Sequence, residues 1–268
     1  MAPKQTQSEG QTPDFVASAV SLMRAQLGSE LTVADLADHV GYSRFHFSRL
    51  FTGVTGLAPM EYCAALRFAE AKRLLLTTDE PVVDVCAEVG FTSLSTFSRR
   101  FRHVVGTAPA GLRRLADDVA EHPVSPFSVS ERGRPSVTVW LDLGDVALTS
   151  EALRQPRQTW IGWYPRPVPV GLPAAGALVS GTDRIDLPLC AGNPWLLAVS
   201  MPDDADPLEQ LAPLIPLVAG YPAPINPVML AQGRGLDITL RFAPADPHTV
   251  PLLSALASLR DQVKRAER

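Results

Sequence analysis

Residues 33–51 read VADLADHVGYSRFHFSRLF, and residues 82–101 read VVDVCAEVGFTSLSTFSRRF, the same pattern about fifty positions later. In the first copy Val33, Leu36, Ala37 and Val40 recur at helical spacing and give one apolar face. Thr32 and Asp35 form a capping-box start for that helix. Gly41 follows, where a residue without a Cβ lets the chain end one helix in a left-handed turn. Ser43 then caps a second helix whose inward stripe is Phe47, Leu50, Phe51 and Val54, while Arg44, Phe45, Ser48 and Arg49 lie on the other face. The second copy repeats each step. Pro81 fits a first helical turn, Val82, Val85, Cys86 and Val89 form the buried face, and Gly90 turns. Phe97, Phe101 and Val104 then point inward, and Leu94, Ser95, Arg99 and Arg102 outward, with one extra residue in the turn. Each copy closes on a glycine and an Ala-Pro pair, Gly56 with Ala58-Pro59 and Gly106 with Ala108-Pro109. Two short helices joined by a glycine turn, twice over, are a tandem helix-turn-helix.

Between the copies, residues 59–77 carry Tyr62, Leu66, Ala69, Leu74 and Leu76 without a breaker. Nineteen helical residues at ~1.5 Å each span about 28 Å, close to the ~34 Å between successive major-groove segments on one face of B-DNA. One polypeptide is therefore expected to lay its two outward helices in neighbouring grooves, on an asymmetric bipartite site, without dimerising.

The net charge of −4 argues against nucleic acid only as an average. Basic residues gather in the first half, at Arg44, Arg49, Lys72, Arg73, Arg99, Arg100, Arg102, Arg113 and Arg114, and acids such as Asp203, Asp204 and Asp206 outnumber bases downstream. Local placement decides DNA binding.

The stretch from Asp14 to Arg114 resembles the DNA-binding domain of the AraC/XylS family of bacterial transcription regulators. The resemblance rests on Ser43, Phe47-Ser48-Arg49-Leu50-Phe51, Gly56, Ala58-Pro59 and Tyr62 in the first copy. It continues through Arg67, Ala71 and Leu74-Leu75 to Val82, Asp84-Val85, Gly90-Phe91, Phe97-Ser98-Arg99, Phe101, Gly106, Pro109 and Leu112-Arg113. It implies seven helices, the third and sixth being the readers. By position it implies base contacts from Arg44, Phe45, Ser48 and Arg49 in the first reader and from Leu94, Ser95 and Arg99 in the second. An arginine suits guanine O6 and N7, and Phe45 suits thymine methyls. Ser93, Thr96 and Arg102 are expected on phosphates, which position without specifying. RNA polymerase is an expected partner for a regulator of this kind.

Residues 1–12 are expected to be a disordered tail, 13–118 the DNA-binding domain and 119–135 a Pro/Ser-rich linker. Residues 136–268 are expected to form a mainly-β, sandwich-like antiparallel domain with a C-terminal helix, so the fold class is multidomain, all-α then mainly β. The strands fall at 137–143, 159–164, 176–180, 185–187, 195–201 and 238–242, and the closing helix at 250–265 through Leu252, Leu253, Leu256 and Leu259. Residues 159–202 resemble the transthyretin-like sandwich of carboxypeptidase regulatory domains, and no functional residue carries over. This half is expected to bind a small effector or a partner that modulates DNA binding. Trp163, Trp195 and Tyr221 are candidate pocket walls, weighed against the commoner role of such aromatics in a core. Residues 1–118 are expected to bind DNA alone, without effector response.

No catalytic, metal or cofactor site is expected. Cys63, Cys86 and Cys190 stand apart, with neither metal-ligand spacing nor the Cys-His-Arg run of DNA-repair alkyltransferases that share a related helix-turn-helix module. They fit reduced thiols in a cytoplasmic protein, Cys63 and Cys86 in the core. Asp203, Asp204 and Asp206 fit a solvated turn better than a calcium loop, and Gly233-Arg234-Gly235 a hairpin turn better than a phosphate loop. With no long apolar run, no membrane association is expected. The alternatives to a sequence-specific regulator are a non-specific architectural DNA binder and, more remotely, a DNA-repair enzyme.

Overall fold

The computed structural model describes residues 14–122, 124–129, 135–144, 157–213, 216–225, 237–246 and 250–259. The expected tail at 1–12, the turn at Gly233-Arg234-Gly235 and the far end of the closing helix lie outside these residues.

Seven helices occupy the first half: α1 (Asp14–Ala25), α2 (Val33–His39), α3 (Arg44–Thr55), α4 (Pro59–Thr77), α5 (Val82–Glu88), α6 (Leu94–Val105) and α7 (Pro109–Glu121). Their boundaries follow from local chemistry. The capping box at α2 is closed in both directions, Asp35 N–H donating to Thr32 Oγ1 at 3.3 Å and Thr32 N–H to Asp35 Oδ2 at 2.8 Å. The Thr32 hydroxyl, donating to Asp35 Oδ2 at 2.7 Å, and then the Thr32 N–H hold the exposed Asp35 carboxyl below its ordinary value. Pro59 and Pro109 open α4 and α7, where a missing N–H costs nothing. Pro81 stands one place earlier than expected, at the N-cap of α5.

α4 is the hub. Phe47 and Phe51 of α3 pack on Tyr62 of α4, with the Phe51 and Tyr62 rings 5.4 Å apart. Phe97 and Phe101 of α6 pack in the same way on Phe68, each 6.1 Å away. Phe68, six residues beyond Tyr62, also stacks on Phe91 at 5.1 Å. Arg67, between the two aromatic seats, donates to Ser29 O at 2.6 Å and to Gly90 O at 3.3 Å, joining the loop after α1 to the turn of the second unit. Arg113 of α7 closes the other end of α4 by donating to Leu75 O and Thr78 O, both at 3.0 Å.

Among its described residues the second half carries two sheets and the short helix α8 (Pro207–Leu211). The strands are β1 (Phe127–Val129), β2 (Ser136–Asp142), β3 (Arg157–Tyr164), β4 (Ala175–Ser180), β5 (Arg184–Pro188), β6 (Trp195–Pro202), β7 (Leu217–Gly220), β8 (Asp237–Arg241) and β9 (Ala243–Pro244). The larger sheet runs β1-β4-β3-β6-β7-β9 and the smaller β5-β2-β8. All six strands expected from the sequence are present, and β1, β7 and β9 are additional. Pairing is not wholly antiparallel, since β2 and β8 run parallel from Thr138 opposite Asp237 to Asp142 opposite Arg241.

The alternation in β3 sorts its side chains into two cores. Ile161 and Trp163 face the smaller sheet with Val139, Leu196 and Ile238, and the Trp163 indole donates to Pro188 O at 2.8 Å. Trp160 faces the opposite way, into a core shared with Leu115 and Val119 of α7 and with Leu253 and Leu256. The larger sheet is thus covered by the smaller one on one face and by the helices on the other.

Three expectations need correction. Residues 119–135 are only partly a linker: α7 extends to Glu121, and β1 pairs with β4 along Phe127–Val129. Residues 250–255 are not helical, and among the described residues the helix expected at 250–265 is seen at 257–259. The stretch 250–255 has no regular structure and is half-buried to buried. Its polar groups find partners outside itself: Ala255 N–H donates to Val105 O at 2.9 Å, and Leu252 O accepts from Lys72. Val54, assigned to the inward stripe of α3, is 48% exposed, because the stripe turns outward at the last turn of the helix.

Candidate nucleic-acid interface

The two reader helices begin alike. Ser43 accepts from His46 N–H at 3.4 Å at the start of α3, and Ser93 from Thr96 N–H at 3.3 Å at the start of α6. Each follows a glycine in the left-handed region, Gly41 at φ 74° and Gly90 at φ 80°. Both helices end on another, Gly56 at φ 73° and Gly106 at φ 95°.

Phe47, Phe51, Phe97 and Phe101 being buried, the opposite faces are left to solvent. Arg44, Phe45 and Arg49 are exposed on α3, with Ser48 half-buried. Leu94, Ser95, Arg99 and Arg102 are exposed on α6, with Ser93 and Thr96 half-buried at its start. Phe45 is 79% exposed and Leu94 43%, which no packing among the described residues explains. Ser93 Oγ also meets Ser95 Oγ at 3.1 Å and Thr96 Oγ1 at 3.2 Å, a hydroxyl cluster at the tip of α6. The structure thus gathers the residues expected to touch DNA on two similar helix faces, with Arg44, Phe45, Leu94 and Ser95 in the first turns and Arg102 in the last turn of α6.

It also separates these arginines from the other basic residues. Arg73 is held by Glu70 at 2.6 Å. Arg100 lies over the Phe68 and Phe91 rings at 5.6 and 5.7 Å. Arg113 is spent on backbone carbonyls, and Lys72 is 1% exposed, on the side of the sheet. Arg44, Arg49, Arg99 and Arg102 make no ion pair among the described residues. Arginines standing apart from acids on a protein of net charge −4 form a local basic face.

The β region meets the readers at their far ends. A Cβ placed on Gly56 would lie 2.9 Å from Val168 Cγ1, and one on Gly106 2.6 Å from Leu172 Cδ2. The loop between β3 and β4 therefore rests on the C-terminal caps of both readers. Arg166 of that loop pairs with Glu61 of α4 at 2.6 Å, and Ser254 donates to Gly171 O at 2.6 Å.

The expected pocket walls do not come together. Trp163 is a core residue between the sheets with Tyr221 half-buried beside that core, whereas Trp195, paired with Tyr164 and one residue before the inward Leu196, is half-buried on the opposite face of the larger sheet. None of the three lines the large cavity between sheet and helices. Residues that line it, Lys72 and Trp160 among them, carried no local signal, since the cavity forms only when distant segments pack. Cys63 and Cys86 are buried as expected, and desolvation pushes both thiols up. Asp206 caps α8 by accepting from Glu209 N–H at 2.8 Å, and Asp203 accepts from Ser180 Oγ at 2.8 Å. Among the described residues no helix is long and apolar enough to cross a membrane.

Residues 36–115 match a protein family described as a helix-turn-helix domain. The chain is 34% identical over 95 residues to the HTH-type transcriptional activator AarP of Providencia stuartii, covering 35% of this chain and 70% of that one. Longer relatives are also matched: of an uncharacterized HTH-type transcriptional regulator of Staphylococcus aureus, 29% identical over 112 residues, the chain covers 15%. Among solved structures, it is similar to a Chromobacterium violaceum transcriptional regulator of the AraC-type DNA-binding class, with 34% identity, a TM-score of 0.37, and coverage of 37% of this chain and 89% of that one. It is similar also to the DNA-binding domain of the global transcriptional factor AdpA in complex with a target DNA, with 33% identity, a TM-score of 0.38, and coverage of 42% and 100%. Through its tandem repeat the chain belongs to the AraC-type family of helix-turn-helix transcriptional regulators.

Proposed function

We propose that the protein is a sequence-specific regulator of transcription that sets α3 and α6 in two adjacent major grooves of one asymmetric site. The observation that carries this reading is the pair of matched faces, Arg44, Phe45, Ser48 and Arg49 on α3 and Leu94, Ser95 and Arg99 on α6. Both are seated on the single helix α4, and their arginines make no ion pair among the described residues. The arginines read guanine edges, Phe45 meets thymine methyls, and Ser93, Thr96 and Arg102 fix the phosphates. Leu94 and Ser95 at the tip of α6, shorter than Arg44 and Phe45 at the tip of α3, make the first reader the more discriminating. The β region modulates this binding through an effector or partner, RNA polymerase is the downstream partner, and action at promoters places the protein in the cytoplasm. The relative AarP is named an activator, and activation is the sign proposed here.

Selection of bound duplexes from a random pool, followed by footprinting at several salt concentrations, tests the proposal. The expected result is a two-part protected site, with competitor duplexes bound at least about 1000-fold more weakly. Equal affinity for every duplex across salt would instead identify an architectural DNA binder.

A further inference from the structure

A cavity of about 1270 Å³ lies between the helices and the larger sheet. Its walls are mainly apolar: Val16, Val54 and Leu66 on the helical side, Trp160, Val199 and Val218 on the sheet side. Pro167 to Pro169 and Val250 to Leu252 close its ends. Within this lining stands one fully buried cation. Lys72 is 1% exposed, and its Nζ donates to Leu252 O at 3.2 Å, with no second acceptor among the described residues. Among the described residues no acid pairs with it: Glu70, also in the lining, is held by Arg73, and burial lowers the pKa of the Lys72 amine. A buried ammonium with no counter-ion is costly, and a chain that needed only a filled core would use methionine or leucine here. A large apolar hollow with one converging polar group is the usual form of a small-molecule site.

We propose that this cavity is the effector site, and that it takes an apolar organic anion, a hydrophobic body with one acidic group, whose charge is met by Lys72. The position suits control of the readers, since Val54 and Thr55 of the lining belong to the last turn of α3 and Val168 touches Gly56. The role as effector site rests on the regulator reading, but binding is measurable without DNA.

The test is a fluorescence titration of the full-length protein with 8-anilinonaphthalene-1-sulfonate and with N-phenyl-1-naphthylamine, the same rings with and without the anion. Both are expected to bind. Lys72→Met, which keeps length and removes charge, is expected to weaken the sulfonate roughly tenfold or more and to leave the neutral probe unchanged. Ala69→Trp, which fills the cavity from α4, is expected to abolish both. Sulfonate binding unchanged in Lys72→Met, or either probe bound unchanged in Ala69→Trp, overturns the site. Specific DNA affinity measured with and without the sulfonate is expected to differ several-fold. Lys72-dependent binding in a protein without a specific DNA site would support the cavity and overturn the regulator reading alone.

Discussion

Arg49 and Arg99 occupy the same place in the two repeats, half a turn from Phe47 and Phe97, which anchor their helices. An exposed arginine with no partner in the fold contributes little to stability, so its removal isolates recognition. Arg49→Ala and Arg99→Ala are each expected to cost ~1–3 kcal/mol at the cognate site and to relax base preference there, with thermal stability unchanged. A binding isotherm on the selected duplex checks this, and unchanged affinity would remove that residue from the base-reading set. Lys72 shows the opposite economy. Burial lowers its pKa from the ordinary 10.5 to about 7. Between those two values the unfolded chain holds a proton that the folded one has shed, so stability rises with pH across the window; below pH 7 the full penalty is present. Lys72→Met is therefore expected to melt higher than wild type at pH 6, and the gap is expected to narrow toward pH 10. Parallel melting curves of the two proteins over that range would refute the assignment. Nothing in the sequence near Lys72 announced its burial: it is one of several basic residues, and only the packing of residues 250–255 against α4 distinguishes it.

At the scale of elements, the helices were readable because each carries its own instructions. The Thr32–Asp35 box, the serine caps, the Ala-Pro starts and the glycine stops act within a few residues. The alternation of β3 was equally plain, and Trp160 and Trp163 lie on opposite faces as it requires. The leucines of 250–259 misled because apolar spacing records burial, and a segment buried on every side satisfies a helical period by accident. Its irregular backbone is tied to the Val105 carbonyl and the Lys72 amine, both more than a hundred residues away. The glycines separate local from tertiary demands. Gly41 has a positive φ and open space around it, so Gly41→Ala is expected to cost only the left-handed backbone term, ~1–2 kcal/mol. Gly106→Ala adds a collision with Leu172 and Ser258, and is expected to destabilise by clearly more. Urea midpoints compare the two, and equal shifts would mean that the β3–β4 loop does not press on α6.

Over the whole molecule, the expected division into an independent DNA-binding half and a tethered sensor meets a shared core. Leu115 and Val119 of α7 pack with Trp160, Leu178 and Met201 of the sheet and with Leu253 and Leu256 of the closing segment. The tandem repeat ends before this core does. A fragment of residues 1–122 uncovers one side of α4 and α7, and is expected to melt well below the full chain and to bind a hydrophobic dye. Melting at the same temperature would restore independent halves.

The loop that rests on both Gly56 and Gly106 gives the protein a sense of distance. With α4 as one strut and this loop as a second, the two readers are triangulated, and neither can slide to follow a half-site that has moved. On the proposed docking, the molecule measures the gap between half-sites as strictly as it reads the bases within them. Five added base pairs carry the second half-site about half a turn round the duplex, and ten move it one whole turn (~34 Å) out of reach. Both insertions are expected to reduce binding to that of a single half-site, whereas readers on a compliant hinge would recover at ten.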